Sequence, residues 1–337
     1  MNNYIENVAL AVEEAKEKIK CLKAENSLVF PIFTDLHTED VDHKYTKRVI
    51  KALELISENI DYDAVIDLGD NFDMLGRSIH ITNDELKARF ERVFSAVHNA
   101  SKHPVINVNG NHDAIGTDFF KADFWNSIVK GKFGNTYAVY GDEGSYYYID
   151  YEKADTRLII LSLPYDSDIA SDMPTPLWGF GELQLKWFKE TALNTDKNVI
   201  ILSHVPFYYK YTGDEEATLG VWDGSNAKIS YISSLCGWIE DLDDAVAIID
   251  EHNNSSKRII ACLSGHMHTD SLWLPHEEKS GEKNPLPCHQ IVTTAACFTE
   301  NVETKIGISI DIAVWTPSRN EFNMIRIGDG EDRKIAL

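Results

Sequence analysis

The chain has 337 residues, long enough for one large domain or two ordinary ones with a full core. Hydrophobic residues make up 43% and charged residues 26%, the balance of a water-soluble globular protein. A net charge of −22 repels phosphate backbones and anionic membranes, which argues against nonspecific nucleic-acid binding and leaves solubility as the simplest purpose of the acidic surface.

Residues 3–24 carry Ile5, Val8, Val12, Ala15, Ile19 and Leu22 near helical spacing. They predict an amphipathic helix, packed on the body in preference to a partner. Leu28 to Phe33 is an apolar strand ending at Thr34-Asp35. A helix follows from about His43 to Asn59, and Ala64 to Leu68 is a second strand ending at Gly69-Asp70. Asn83 reads as the N-cap of a helix through about Asn99, and Pro104 to Val108 is a third strand ending at Asn109-Gly110-Asn111-His112. This β-α-β-α-β opening implies parallel strands with right-handed crossovers, whose ligands collect beyond the carboxyl ends.

Ser145 to Tyr151 and Arg157 to Leu163 read as adjacent strands, Gly181 to Asn194 as a helix, and Asn198 to Leu202 as a strand delivering His204. Residues 207–257 look like an insertion, with an aromatic lip from Phe207 and an acidic helix at about Tyr231 to His252. Arg258 to Leu263 is a strand ending at Ser264-Gly265-His266. Gln290 to Thr294, Gly307 to Trp315 and Glu321 to Ile327 read as antiparallel strands. The expected organisation is an N-terminal helix over 1–26, one α/β domain over 27–328 with a second sheet, and a polar tail over 329–337.

The five cysteines are odd in number and widely spaced, without CxxC, so neither a disulfide framework nor a zinc ribbon is indicated. The N-terminus lacks the basic start and apolar stretch of a signal peptide, and no apolar run approaches a membrane span; a cytoplasmic location is expected.

Five islands carry the chemistry: Asp35-Leu36-His37, Gly69-Asp70-Asn71-Phe72-Asp73, Gly110-Asn111-His112-Asp113, Ser203-His204 and Gly265-His266-Met267-His268. Each follows a hydrophobic run, and each offers nitrogen or oxygen donors suited to divalent first-row metals. Five in order over one globular length point to a two-metal site, and such sites mostly move phosphate.

The islands resemble the pattern of the calcineurin-like metallophosphoesterases: D-x-H, GDxxD, GNH[DE], H and GHxH, all present in order from Asp35 to His268. The resemblance implies two mixed β-sheets flanked by helices, an α/β/β/α sandwich. It implies Asp35, His37 and His268 on one metal, Asn111, His204 and His266 on the other, and Asp70 bridging both. A carboxylate bridge offsets the repulsion of two cations about 3.5–4 Å apart. An extended backbone at His266-Met267-His268 would send both imidazoles to one side. His112 is implied to be the general acid that protonates the leaving oxygen, kept protonated by Asp73. Asp113 is the rival partner, with loop capping its simpler role. The implied reaction is in-line attack by a metal-bridging hydroxide. Mn²⁺, Fe, Zn²⁺, Ni or Co fit the donors, manganese first.

Met74-Leu75 stand where protein phosphatases of this superfamily have Arg-Gly, and Asp73 stands where purple acid phosphatases have Tyr. With few cations to grip a dianion, a phosphodiester is favoured over a monoester. Aromatics from Phe119 to Trp125, at Tyr165 and Trp178, and from Phe207 to Trp222 are expected near the mouth, where they would stack a base or sugar. The expected substrate is a nucleotide-like small molecule or a cell-wall phosphodiester polymer, the second implied by a fainter resemblance to prophage-type members. Alternatives are a small-molecule phosphomonoesterase and a virion-associated structural protein.

Overall fold

Leu28–Phe33 (β1) is buried at all six positions, as a strand covered on both faces must be. It lies centrally in the computed structural model, which describes the chain except residues 1, 39, 73–82, 111, 114–129, 131–134, 142–144, 163–176, 208, 211–237, 240, 254–257, 280–281 and 297–306. The helices are α1 (Asn2–Leu22), α2 (Lys44–Asn59), α3 (Asn83–Ala100), α4 (Gly181–Trp187, continued by a π-helical turn Phe188–Ala192) and α5 (Leu242–Asn253). None of the described helices is long and apolar enough to cross a membrane.

The further strands of the two main sheets are β2 (Val65–Asp67), β3 (Val105–Asn107), β4 (Ala138–Tyr140), β5 (Tyr147–Tyr151), β6 (Thr156–Ile160), β7 (Asn198–Leu202), β8 (Ile259–Ser264), β9 (Ser271–Trp273), β10 (His289–Val292), β11 (Ser309–Thr316), β12 (Glu321–Gly328) and β13 (Arg333–Ala336). The first sheet runs β13-β12-β11-β1-β2-β3 and the second β9-β10-β8-β7-β6-β5-β4. In the first, β1, β2 and β3 are parallel while β11 runs against β1. In the second, β6, β7, β8 and β10 are parallel.

Period-two alternation makes the layers. Leu158, Ile160, Ile200 and Leu202 belong to the core shared with the first sheet, whereas Ile159, Leu161, Val199 and Ile201 pack with Phe188 of the π-helical turn and with Leu242, Ala245 and Ile249 of α5. The second sheet is thus sandwiched between the first sheet and the α4–α5 layer. On the far side of the first sheet, α1 buries Val8, Val12, Ala15 and Ile19 against β11, β12 and α2. The result is two mixed sheets flanked by helices.

Several expectations change. Residues 333–336 are no tail but β13, paired antiparallel with β12 from Met324↔Arg333 to Glu321↔Ala336. Ile335 in this polar stretch is buried and supplies the apolar anchor. The strand at Gln290 belongs to the second sheet and is parallel to β8, because the chain first makes β9 as a short antiparallel return. Within the expected acidic helix, Trp238–Ile239 is instead a short strand beside Leu177–Trp178, and the helix begins at Leu242. Phe207 is fully buried and stacks on Phe180 at 5.5 Å, so this residue of the expected lip is core. Among the other expected mouth aromatics, Trp178 and Tyr209 have no described side chain and the remainder lie outside the described residues.

A buried charge network binds the C-terminal strands to the site. Arg326 on β12 donates to Asp311 on β11 (Nε–Oδ1 3.0 Å) and to Asp270 (2.6 Å), while Arg333 on β13 donates to Asp311 (2.6 Å). Asp270 also accepts from Thr294 N–H, and Thr294 Oγ1 donates to the carbonyl of His268 at 2.9 Å. Arg326→Met removes one of the two guanidinium partners of Asp311. Urea unfolding should show a loss of about 3 kcal/mol, as for a broken buried pair; a loss below about 1 kcal/mol, the value of an exposed pair, would contradict this.

Candidate metal centre

The carboxyl ends of both parallel strand sets converge on one place. Asp35 follows β1, Asp70 follows β2, His112 follows β3, His204 follows β7, and His266 and His268 follow β8. The loops carrying Asp35 and Asp70 are zipped together: Asp35 N–H donates to Gly69 O (2.8 Å), His37 N–H to Asp70 O (3.0 Å) and Thr38 N–H to Asn71 O (3.0 Å). Two glycines permit the close approach. A Cβ at Gly110 would overlap the backbone and carboxylate of Asp70, and one at Gly265 would strike Thr34 Oγ1 and Asp35.

Three buried ligand candidates, Asp35, Asp70 and His204, are each held by one atom and present the other. Asp35 Oδ2 accepts from Thr34 Oγ1 (2.7 Å) and His266 N–H (2.9 Å), which leaves Oδ1 facing His268 Nε2 (3.0 Å) and His37 Nε2 (3.5 Å). Asp70 Oδ1 accepts from His112 N–H (2.7 Å), which leaves Oδ2 facing His204 Nε2 (3.0 Å), His37 Nε2 (3.9 Å) and His112 Nε2 (4.0 Å). His204 Nδ1 lies 2.8 Å from the carbonyl of Leu68, which fixes the ring with Nε2 turned inward. His37 Nε2 and His268 Nε2 are 2.9 Å apart.

Three donor groups result: Asp35 with His37 and His268, Asp70 with His204 and His266, and Asp70 with His37 and His112. Asp70 belongs to two of them. This set of imidazole nitrogens and carboxylate oxygens, with the second atom of Asp35, Asp70 and His204 already taken up by the protein, fits two divalent cations. Asn111 and Asp73 lie outside the described residues.

The backbone reaches these positions by an unusual route. Asp35, His37, Asp70, His266 and His268 all have left-handed φ, between 41° and 69°. They are five of eight such non-glycine residues among those described, so the conformation is concentrated at the site. This corrects the extended backbone expected at 266–268. His266 turns to His204 and Asp70, His268 to Asp35 and His37.

Charge and burial act against each other here. Burial disfavours ionisation of Asp35, but hydrogen bonds from His268 and His37 hold its carboxyl well below the usual range. For Asp70 burial is likewise overcome, by the neighbouring charges of His204 and His112. Burial would neutralise His204, yet the Asp70 carboxylate pushes it up to about 9. His266 is pushed down to about 3 by burial and by His204 beside it. Exposure marks the open side: the side chains of His37, His112 and His268 are 15%, 17% and 11% exposed, against 0% for His204.

Two supporting residues were not read as such from the sequence. Thr34 holds Asp35, and Asp67 accepts from Gly69 N–H and Asn71 Nδ2, with burial raising its carboxyl to about 7. Asp113 accepts backbone N–H groups from Asp70, Asn71, Phe72 and Gly110, so its oxygens are taken up in capping the loops.

The family model described as calcineurin-like phosphoesterase matches residues 29–270. Among solved structures, a dimetal phosphatase from Danio rerio is similar at 13% identity and TM-score 0.59, over 92% of this chain and 98% of that one. A 5'-nucleotidase precursor from Thermus thermophilus aligns at 12% identity and TM-score 0.38 (86% and 51% covered), and a calcineurin-like phosphoesterase from Bacillus subtilis at 16% and 0.38 (91% and 87%). No curated protein matches the chain.

Cation binding at His204 Nε2 requires the neutral ring, and a ring with pKa near 9 is protonated at pH 7. Loading should therefore release close to one proton from this pair, with none from His266, which is already neutral. Affinity should fall about tenfold for each pH unit below 9. Calorimetric metal titration in buffers of different ionisation enthalpy reads the proton count; a count of zero at pH 7 would contradict the assignment.

Proposed function

The chain belongs to the calcineurin-like phosphoesterase family, and from that premise we propose that it is a binuclear metal-dependent phosphodiesterase. The observation that carries the reading is a continuous run of donor groups: Asp35 and His268 are grouped with His37, His37 with Asp70, and Asp70 with His204 and His266. Asp35, His37, Asp70 and His268 would hold one cation, and Asp70, Asn111, His204 and His266 the second. Two such cations supply Lewis acidity and a nucleophilic water at neutral pH. Mn²⁺ is the proposed metal.

The protein's own residues then have three tasks. Thr34, the Leu68 carbonyl and the N–H groups of His266 and His112 orient the ligands, as the distances above support. His112 stands on the open side, its ring 4.5 Å from that of His37 and near perpendicular to it, and delivers a proton to the leaving oxygen. Asp73 is the proposed partner that keeps it charged, since Asp113 is committed to the loops. Specificity for a diester is supported by the makeup of the cluster: among the described residues its ion pairs join carboxylates and imidazoles, without lysine or arginine to grip a second phosphate charge. In a protein of net charge −22, a monoanionic diester is also repelled less than a dianionic monoester.

The Mn²⁺-loaded enzyme should show a higher kcat/KM for bis-p-nitrophenyl phosphate than for p-nitrophenyl phosphate; the reverse order overturns the diester assignment. His112→Ala should retain two metals by elemental analysis. It should lose about 10²- to 10⁴-fold in kcat on esters with poor leaving groups, the range of general acid catalysis. Unchanged turnover there would remove His112 from the proton-transfer role.

A further inference from the structure

Beyond β6 the second sheet opens, and a side chain closes the gap. Leu161 N–H still donates to Leu202 O at 2.9 Å on one side, while on the other side β5 pairs with β6 only as far as Tyr147↔Ile160. Opposite Ser162, beyond the last pair with β5, Gln184 of α4 takes the place of a strand. Ser162 N–H donates to Gln184 Oε1 (2.8 Å), while Gln184 Nε2 donates to Ser162 O (2.6 Å) and Phe180 O (2.9 Å). One amide thus reproduces both hydrogen bonds of a ladder rung, with both residues fully buried.

Alternation decides where the Ser162 hydroxyl goes. Ile160 faces the core shared with the first sheet and Leu161 faces the α4–α5 layer, so Ser162 faces the first sheet again. There it accepts a hydrogen bond from Asn109 Nδ2 at 3.3 Å. Asn109 is buried and lies three residues before His112, on the stretch leaving β3. Two residues earlier, Tyr147 of the second sheet takes both the N–H and the C=O of Asn107 through its hydroxyl (3.0 and 2.9 Å). The loop bearing His112 is therefore riveted to the second sheet at two points, and the one nearer the site depends on Gln184.

We propose that Gln184 is a positioning residue for His112, acting through Ser162 and Asn109 to set the height of that imidazole over the leaving oxygen. The inference rests on the reading of His112 as proton donor. A general acid displaced by a fraction of an ångström loses proton transfer while metal and substrate binding persist. A poor leaving group needs that proton more than a good one, so the defect has a chemical signature that a merely weakened core would not give.

The test compares kcat on diphenyl phosphate, a poor leaving group, with kcat on bis-p-nitrophenyl phosphate, a good one, in the Mn²⁺-loaded full chain. Ser162→Ala spares the backbone clamp and removes only the hydroxyl; Gln184→Glu keeps the acceptor for Ser162 N–H and removes the donor. Both should keep KM and two bound metals, yet lose on the order of tenfold more on diphenyl phosphate than on the nitrophenyl ester. Ser162→Thr, which retains the hydroxyl, should restore the ratio. His112→Ala is the reference. If it shows no such leaving-group dependence, the proton-donor reading falls and this inference with it. If it does, while Ser162→Ala and Gln184→Glu slow both substrates by one common factor or not at all, the positioning role alone is overturned.

Discussion

Two carboxylates, Asp35 and Asp70, stand almost fully buried at the meeting of two sheets, and the rest of the molecule is arranged around that constraint. Buried charge is tolerated only with partners in place. Each carboxylate gives one oxygen to fixed donors of the protein and keeps the other for a shared polar space ringed by imidazoles. The zipped loops, the glycines that let them touch and the four N–H groups gathered by Asp113 all serve to hold those two oxygens still.

The left-handed backbone at five site residues follows from the same demand. A strand end can aim a side chain along the sheet or out of it. Here donors from separate strands must turn into one small volume, and a φ near +50° makes that turn within a single residue. Asp and His bear this conformation at less cost than β-branched residues would. Neighbouring hydrogen bonds hold it, such as Asp35 N–H to Gly69 O and His37 N–H to Asp70 O.

Most of the framework was legible in the sequence because it is written in periodicity. β1, α2, β2, α3 and β3 fall where periodicity and apolar runs place them, and the donor residues sit just past strand ends. Three features were hidden for identifiable reasons. Arg333–Ala336 looks polar because β13 is an edge strand with one buried anchor, Ile335. Phe207 looks like a surface aromatic beside Tyr208 and Tyr209, but the side chain of Gln290 takes up its backbone N–H and carbonyl, and its ring stacks on Phe180. The backbone at His266-Met267-His268 leaves no trace in residue type, since histidine tolerates the left-handed conformation but usually avoids it; only the need to serve two donor groups calls for it here.

The graded exposure of the histidines has a consequence for how the centre exchanges with its surroundings. His204 is sealed beneath the Leu68 carbonyl and Asp70, whereas His37, His112 and His268 line the side that solvent reaches. Among the described residues, access from solvent to the inner donors leads past the outer ones. Were the donor groups filled as proposed, the outer cation would exchange more readily than the inner, and scarcity of metal would register first at the mouth.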